Sequence, residues 1–184
     1  MAPAMRPDSA KVSAVGGSLD RLVALVVERL DTADVVAAAK WAAGDQGEPV
    51  IDDPVREAEV YDAVARLARG NDLPESWVRQ AFFGQIEANK TVQRGLILRW
   101  RWDRTTAPTT PTDLGSVRPV IDRVNAEILE HMVVCRAELT APDCLERLAR
   151  IVFGVFATGR GDTLHRIALL RAVAALCPVR MDLT

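Results

Sequence analysis

The spacing of apolar residues constrains this sequence most, because it repeats every three or four positions along nearly the whole chain. In the first segment the apolar positions after Ser18 are Leu19, Leu22, Val23, Val26, Val27 and Leu30. Such a rhythm places one apolar stripe along a helix, whereas a half-buried strand needs strict alternation, and no convincing alternation occurs. The pattern predicts an all-α protein.

Glycine, proline and polar clusters divide this pattern into six predicted helices around one core. The first five cover about 18–41, 54–69, 74–102, 113–139 (starting at Asp113 or Ser116) and 140–158, and the last carries Leu164 to Leu176. The Thr/Pro-rich stretch 105–112 cannot continue a helix and is predicted to be a linker. We expect a tail over 1–18 and a single domain over 19–180, with helical halves at about 19–104 and 113–180.

Composition narrows the class of protein. With 184 residues, 49% of them hydrophobic and 26% charged, the chain can bury a core. Its net charge of −2 argues against general nucleic-acid binding, because phosphate contacts need a basic excess. No apolar run approaches the roughly 20 residues of a membrane span, and the first 18 residues lack the apolar core of a secretory signal. The three cysteines fit either reduced thiols or one disulfide with one cysteine left over.

A search for catalytic motifs finds no phosphate loop, dinucleotide turn or Cys-x-x-Cys pair. His131 and His165 lie in amphipathic segments without a matched second ligand, so ordinary structural histidines are expected there. The sequence predicts neither a metal site nor a cofactor.

Cationic residues inside apolar helical segments are the most suggestive feature. Arg29 and Lys40 are eleven positions apart, which offsets them by only about 20° around a helix, so they share one stripe. Lys40 has small or apolar neighbours on both sides. The pair could lean toward one anion, although a lysine at a helix edge that extends its head group to water explains Lys40 equally well.

Two further polar pairs occur at helical spacing. Asn89 and Gln93 are i, i+4 neighbours and place two amides on one face of the third helix. Asp53 and Arg56 are i, i+3 neighbours, a spacing that lets the acid hold the guanidinium. Each pair could equally be a solvated surface pair of little energetic value.

Four segments taken together resemble the all-helical, type II chorismate mutases. These segments are ERLDTADVVAAAKW at 28–41, DDPVRE at 52–57, QIEANKTVQ at 85–93 and VRPVIDRVN at 117–125. The similarity is greatest to the exported subclass, whose longer chain carries a second helical half, and it spans about Leu19 to Pro178. It implies a six-helix fold of that type, with the first half catalytic.

The resemblance also implies a substrate pocket. Its members would be Arg29, Lys40, Asp53, Arg56, Asn89, Gln93 and, from the fourth helix, Arg118. The implied reaction is the rearrangement of chorismate, a dianion, to prephenate, which needs no nucleophile or proton transfer. The implied catalytic residues are Lys40 and Gln93, which would donate to the ether oxygen that breaks, together with Arg29.

The remaining implied contacts concern the two carboxylates of chorismate. Arg29 and Arg118 would bind the enolpyruvyl carboxylate, since a guanidinium fork matches a carboxylate. Arg56, positioned by Asp53, would bind the ring carboxylate, and Asn89 would contact that carboxylate or the ring hydroxyl.

Several wider expectations follow from the resemblance alone. It implies a Cys144–Cys177 disulfide and a periplasmic or secreted protein, with a cytoplasmic one not excluded. A homodimer is plausible, and chorismate is the expected partner. Whether the product feeds aromatic amino acid biosynthesis from the shikimate pathway stays open. The alternatives are an isochorismate-pyruvate lyase on the same fold and a non-catalytic helical interaction protein.

Overall fold

The computed structural model describes residues 18–44, 49–110 and 112–179. The predicted tail lies outside these residues apart from Ser18. The helices are α1 (Ser18–Ala43), α2 (Pro54–Gly70), α3 (Glu75–Trp102), α4 (Leu114–Val134), α5 (Arg136–Leu139), α6 (Cys144–Ala157) and α7 (Thr163–Ala174). A short 3-10 turn, Arg104–Thr106, follows α3. No strand occurs in these three ranges, so the all-α prediction is confirmed.

Helices α1 and α3 form the centre of the molecule. Helix α1 packs against α3, α4, α6 and α7, while α3 also packs against α2 and α7. Val23 and Leu25 of α1 are both fully buried although they lie about 160° apart around the helix. A helix that is apolar on more than one face must be enclosed by neighbours. The polar residues of α1 and α3 that are also buried therefore stand at the junctions between helices.

Local signals explain where the helices start and stop. Asp53 caps α2, and Pro54 occupies its first turn, where its missing N–H costs nothing. After α2, Asp72 adopts a left-handed backbone (φ 53°), a conformation that Asp tolerates in turns. Asp103 ends α3, and the described residues of the predicted 105–112 linker hold no α-helix.

The predicted count of six helices is wrong by one within the described chain. The predicted fourth helix is divided at Cys135, whose backbone (φ −91°, ψ 10°) leaves the helical region. The chain resumes at once as the four-residue α5, because Leu139 N–H still donates to the Cys135 carbonyl at 2.9 Å. Periodicity of side chains persists across such a one-residue interruption, so the sequence pattern does not reveal it.

A disulfide closes the second half. Cys144 at the start of α6 is bonded to Cys177, just beyond α7, as predicted. Cys135 is buried and lies outside this bond. None of the described helices is both long enough and apolar enough to cross a membrane.

Candidate active site

A cleft opens between α1, α2, α3 and α4, beside the segment that precedes α2. It encloses about 680 Å³ of space, part of it open to solvent. All seven residues predicted for the pocket line it: Arg29, Lys40, Asp53, Arg56, Asn89, Gln93 and Arg118. Aliphatic side chains, among them Val60, Ile86 and Val117, form much of the remaining wall. The structure therefore brings the four separated motifs to one place.

Arg29 is the most deeply buried cation of the cleft, with 4% of its surface exposed. Its Nε donates to Asn125 Oδ1 at 2.7 Å, and Nη1 donates to the Gln85 carbonyl at 2.9 Å. Burial lowers the pKa of Arg29 to about 10, so the guanidinium remains charged at neutral pH. Both partners are neutral, and the positive charge of Arg29 is therefore held in place without being cancelled.

Lys40 lies in the last turn of α1 and is partly buried. Its Nζ donates to the backbone carbonyl of Ile51. Burial lowers the pKa of Lys40, while the charges of Asp53 and Asp52 oppose that shift. An ammonium has three donors, so Lys40 can hold this carbonyl and still donate to a ligand.

The two predicted amides contact each other. Gln93 Nε2 donates to Asn89 Oδ1 at 2.6 Å, and Asn89 Nδ2 donates to Thr32 Oγ1 at 3.2 Å. Gln93 Oε1 is buried and has no hydrogen-bond partner among the described residues. A buried polar atom without a partner at a cleft is a position that a polar ligand group can satisfy.

The predicted pairing of Asp53 with the Arg56 guanidinium is wrong. Asp53 Oδ1 instead accepts the backbone N–H of Arg56 at 3.0 Å, because an aspartate at a helix N-cap binds the free N–H groups of the first turn. The guanidinium itself donates to Glu59 at 3.0 Å and to Asp122 of α4. Burial lowers the pKa of Arg56, but these two hydrogen bonds outweigh it and raise the pKa overall.

Arg118 stands in the second turn of α4, at the mouth of the cleft. Its side chain is exposed and forms no ion pair in the described part of the chain. An unpaired guanidinium at an entrance can fold over a bound anion without first breaking an internal bond.

Sequence reasoning missed two charged residues of the cleft, Lys90 and Glu57. Lys90 forms ion pairs with Asp52, Glu57 and Glu87, at 3.0, 3.0 and 2.6 Å. The sequence did contain a signal for both residues: a lysine directly follows Asn89, and the segment DDPVRE at 52–57 is rich in acids. Lys90 is about 100° around the helix from Asn89, and a search along a single stripe passes over it.

The charge balance of the cleft favours an anion. Five cations line it against two carboxylates; the cations are Arg29, Lys40, Arg56, Lys90 and Arg118, and the acids are Asp53 and Glu57. Three of the cations, Arg29, Lys40 and Arg118, form no ion pair within the described ranges. No cluster of His, Cys, Asp or Glu suited to a metal occurs among the residues that the structure describes. Fold and site together define an all-helical protein with a cationic cleft for a small anion.

Comparisons with known proteins identify the family. The family model for chorismate mutase type II matches residues 20–94. The secreted chorismate mutase of Mycolicibacterium smegmatis is 34% identical over 157 residues, covering 85% of this chain and 84% of that protein. That of Mycobacterium tuberculosis is 30% identical over 159 residues, covering 86% and 78%. The crystal structure of the chorismate mutase from Burkholderia thailandensis superposes with a TM-score of 0.79 at 34% identity, covering 87% of this chain and 99% of that one. This chain belongs to the all-helical, type II chorismate mutase family, as the resemblance predicted, and family membership makes it an enzyme.

Proposed function

We propose that the cleft converts chorismate to prephenate by holding the substrate in its reactive shape and stabilising the charge that develops as its ether bond breaks. Chorismate is a dianion that rearranges internally, so the protein must orient it rather than attack it. One observation carries the proposal: Arg29, Lys40 and Arg118, which come from two helices, face one cleft and form no ion pair within the described ranges.

Two sets of side chains bind the carboxylates in this proposal. Arg29 and Arg118 hold the enolpyruvyl carboxylate, one from the floor of the cleft and one from its mouth. Arg56 holds the ring carboxylate, and Asp122 fixes the direction of its guanidinium. Holding both ends of the substrate supplies the orientational part of catalysis, for which effective molarities of about 10⁵–10⁸ M are known.

Lys40 and Gln93 act on the ether oxygen. Lys40 is held by the Ile51 carbonyl, so its ammonium is fixed before the substrate enters. Gln93 presently directs its Nε2 to Asn89 and leaves Oε1 without a partner. The amide nitrogen carries two N–H groups, so it can donate to the ether oxygen with the second while the first stays bonded to Asn89. Asn89 contacts the ring carboxylate or, through its amide, the ring hydroxyl.

Export to the periplasm or the cell exterior is part of the proposal. Both mycobacterial relatives are described as secreted, and the Cys144–Cys177 bond is of a kind that persists in oxidising compartments. We also propose a homodimer, which sedimentation of the purified chain would test.

The decisive experiment adds chorismate to the purified protein and follows the loss of its ultraviolet absorbance. Prephenate is identified separately in the product mixture. We expect saturable loss of chorismate with stoichiometric prephenate. No turnover of chorismate, or release of salicylate and pyruvate from isochorismate as the faster reaction, would replace this function with the lyase or the non-catalytic alternative.

A further inference from the structure

Lys90 differs from the other cations of the cleft in how completely it is paired. Its side chain is 11% exposed; Nζ donates to Asp52 Oδ1 and Glu57 Oε1 and forms an ion pair with Glu87 Oε1 at 2.6 Å. Three carboxylates therefore surround the ammonium. Lys90 therefore cannot bind a substrate carboxylate without releasing one of its own, and a direct binding role does not fit its geometry.

The three carboxylates come from three different segments. Asp52 precedes α2, Glu57 is in the first turn of α2, and Glu87 is one turn before Lys90 in α3. Lys90 thus fastens the whole stretch 52–57 onto α3. The same stretch carries Asp53 and Arg56, and it begins next to Ile51, whose carbonyl holds Lys40. Two of the proposed substrate-binding cations depend on where this stretch lies.

Lys90 also affects the charge that the substrate meets. Glu57 lines the cleft, so its carboxylate would repel a dianion if nothing offset it. Asp52 lies close enough to influence the charge state of Lys40. A buried cation bonded to both acids cancels that repulsion at its source, which an exposed counter-charge screened by water would not do.

We propose that Lys90 is a positioning residue for the chorismate reaction: it fixes the 52–57 stretch to α3 and offsets Glu57 and Asp52, so that Lys40 and Arg56 meet the substrate in a net cationic cleft. This inference rests on the proposed function. It assigns Lys90 no contact with the reacting atoms.

The test compares Lys90→Met with a matched control, Arg94→Met. Arg94 lies one turn further along α3, also pairs with Asp52 at 3.0 Å, and does not line the cleft. Lys90→Met is expected to lower kcat/KM for chorismate by about 10- to 100-fold, with a rise in KM and a fall in kcat, since a displaced binding group costs about 10²-fold. Arg94→Met is expected to stay within about twofold of the wild type, as exposed ion pairs contribute little.

A double-mutant cycle separates this role from simple loss of stability. In Lys90→Met the uncompensated carboxylate of Glu57 repels the dianion. Lys90→Met/Glu57→Gln should therefore regain activity relative to Lys90→Met, in a cycle that includes Glu57→Gln alone. Lys90→Arg, which keeps the charge, should recover most of the activity.

Folding is checked by circular dichroism before each assay. Lys90→Gln replaces Lys90→Met if the methionine variant does not fold, since it keeps a donor but no charge. A deficit that is unaffected by Glu57→Gln, or equal to that of Arg94→Met, would overturn the inference while the wild type still makes prephenate. A wild type that makes no prephenate would instead overturn the proposed function.

Discussion

Both sides of α1 carry charged side chains, but only those on one side are paired with opposite charges. On one side Arg29 and Lys40 face the active-site cleft with only neutral partners. On the other side Asp31 and Asp34 face a second cleft, between α1, α3, α6 and α7. There Asp31 binds Arg160, and Asp34 accepts from His165 Nε2 at 2.8 Å.

Pairing is what separates a binding cleft from a structural one. In the second cleft Asp162 also binds Arg99 at 3.0 Å and His165 Nδ1 at 2.7 Å, so its charges cancel across the helix junction. The apolar side chains of this second cleft, among them Val27 and Leu30, then pack the second half against α1. The comparison teaches that charge enrichment indicates a binding site where some of the cations have no counter-charge, as is true of Arg29 and Lys40.

The largest effect is expected from Lys40, on the unpaired side of α1. Lys40→Ala should lower kcat by at least about 10²–10³, the range for removing a donor to a developing oxyanion. The matched control is Asp31→Asn, which removes a charge from the opposite side of the same helix and should leave kcat within about twofold. Steady-state kinetics with chorismate measure both, and near-normal turnover by Lys40→Ala would contradict its role.

The disulfide belongs to the second half and should affect stability alone. Cys144→Ala/Cys177→Ala opens a loop whose closure contributes about 3–4 kcal/mol to the free energy of unfolding in the chain-entropy model. Urea unfolding of the oxidised wild type and the double variant measures the difference. We expect kcat to be unchanged at temperatures where both are folded; a loss of kcat in the folded variant would show that the second half shapes the cleft.

A third prediction concerns Gln93, whose side-chain amide stays neutral as the pH changes. Gln93 needs no proton to donate, so wild-type activity should be nearly flat from pH 5 to pH 7.5. Gln93→Glu should lose about tenfold or more over that range, because a carboxyl group donates only while protonated, and its protonated fraction falls tenfold per pH unit above its pKa. A steep loss in the folded wild type, or a flat profile in the variant, would remove Gln93 from the proposed donor pair.

Sequence reasoning predicted the elements well and the partners of their side chains poorly. The bounds of α2 and α3 follow from Pro54 and Pro74 and from apolar spacing, which are local signals. The division at Cys135 depends on a single backbone conformation, and side-chain spacing does not record it.

The active-site residues show the same contrast between local signals, which the sequence contains, and side-chain partners, which it does not. Residues on one stripe of one helix could be grouped from the sequence, as Arg29 with Lys40. The partner of Arg56 could not, because Asp53 at i−3 fits both an ion pair and an N-cap, and Asp122 approaches from α4 only once the helices pack. Lys90 was missed for a related reason, since its acids come from three segments.

The smallest effect should come from His165, whose side chain is 19% exposed in the paired cleft. Burial lowers the pKa of His165, but hydrogen bonds to Asp162 and Asp34 outweigh it and raise the pKa overall. A raised pKa in the folded state means that this contribution to stability is complete below about pH 6.5, the unfolded value, and disappears as pH rises through the folded pKa. His165→Gln should therefore lower Tm more at pH 5.5 than at pH 8.5, by an amount that corresponds to at most about 1 kcal/mol for such a partly exposed pair. Since these charges only hold α7 against α1, kcat should not change. A loss of activity would mean that the second cleft affects the active-site cleft on the other side of α1. An equal drop in Tm at both pH values would mean that the charge of His165 does not stabilise the fold.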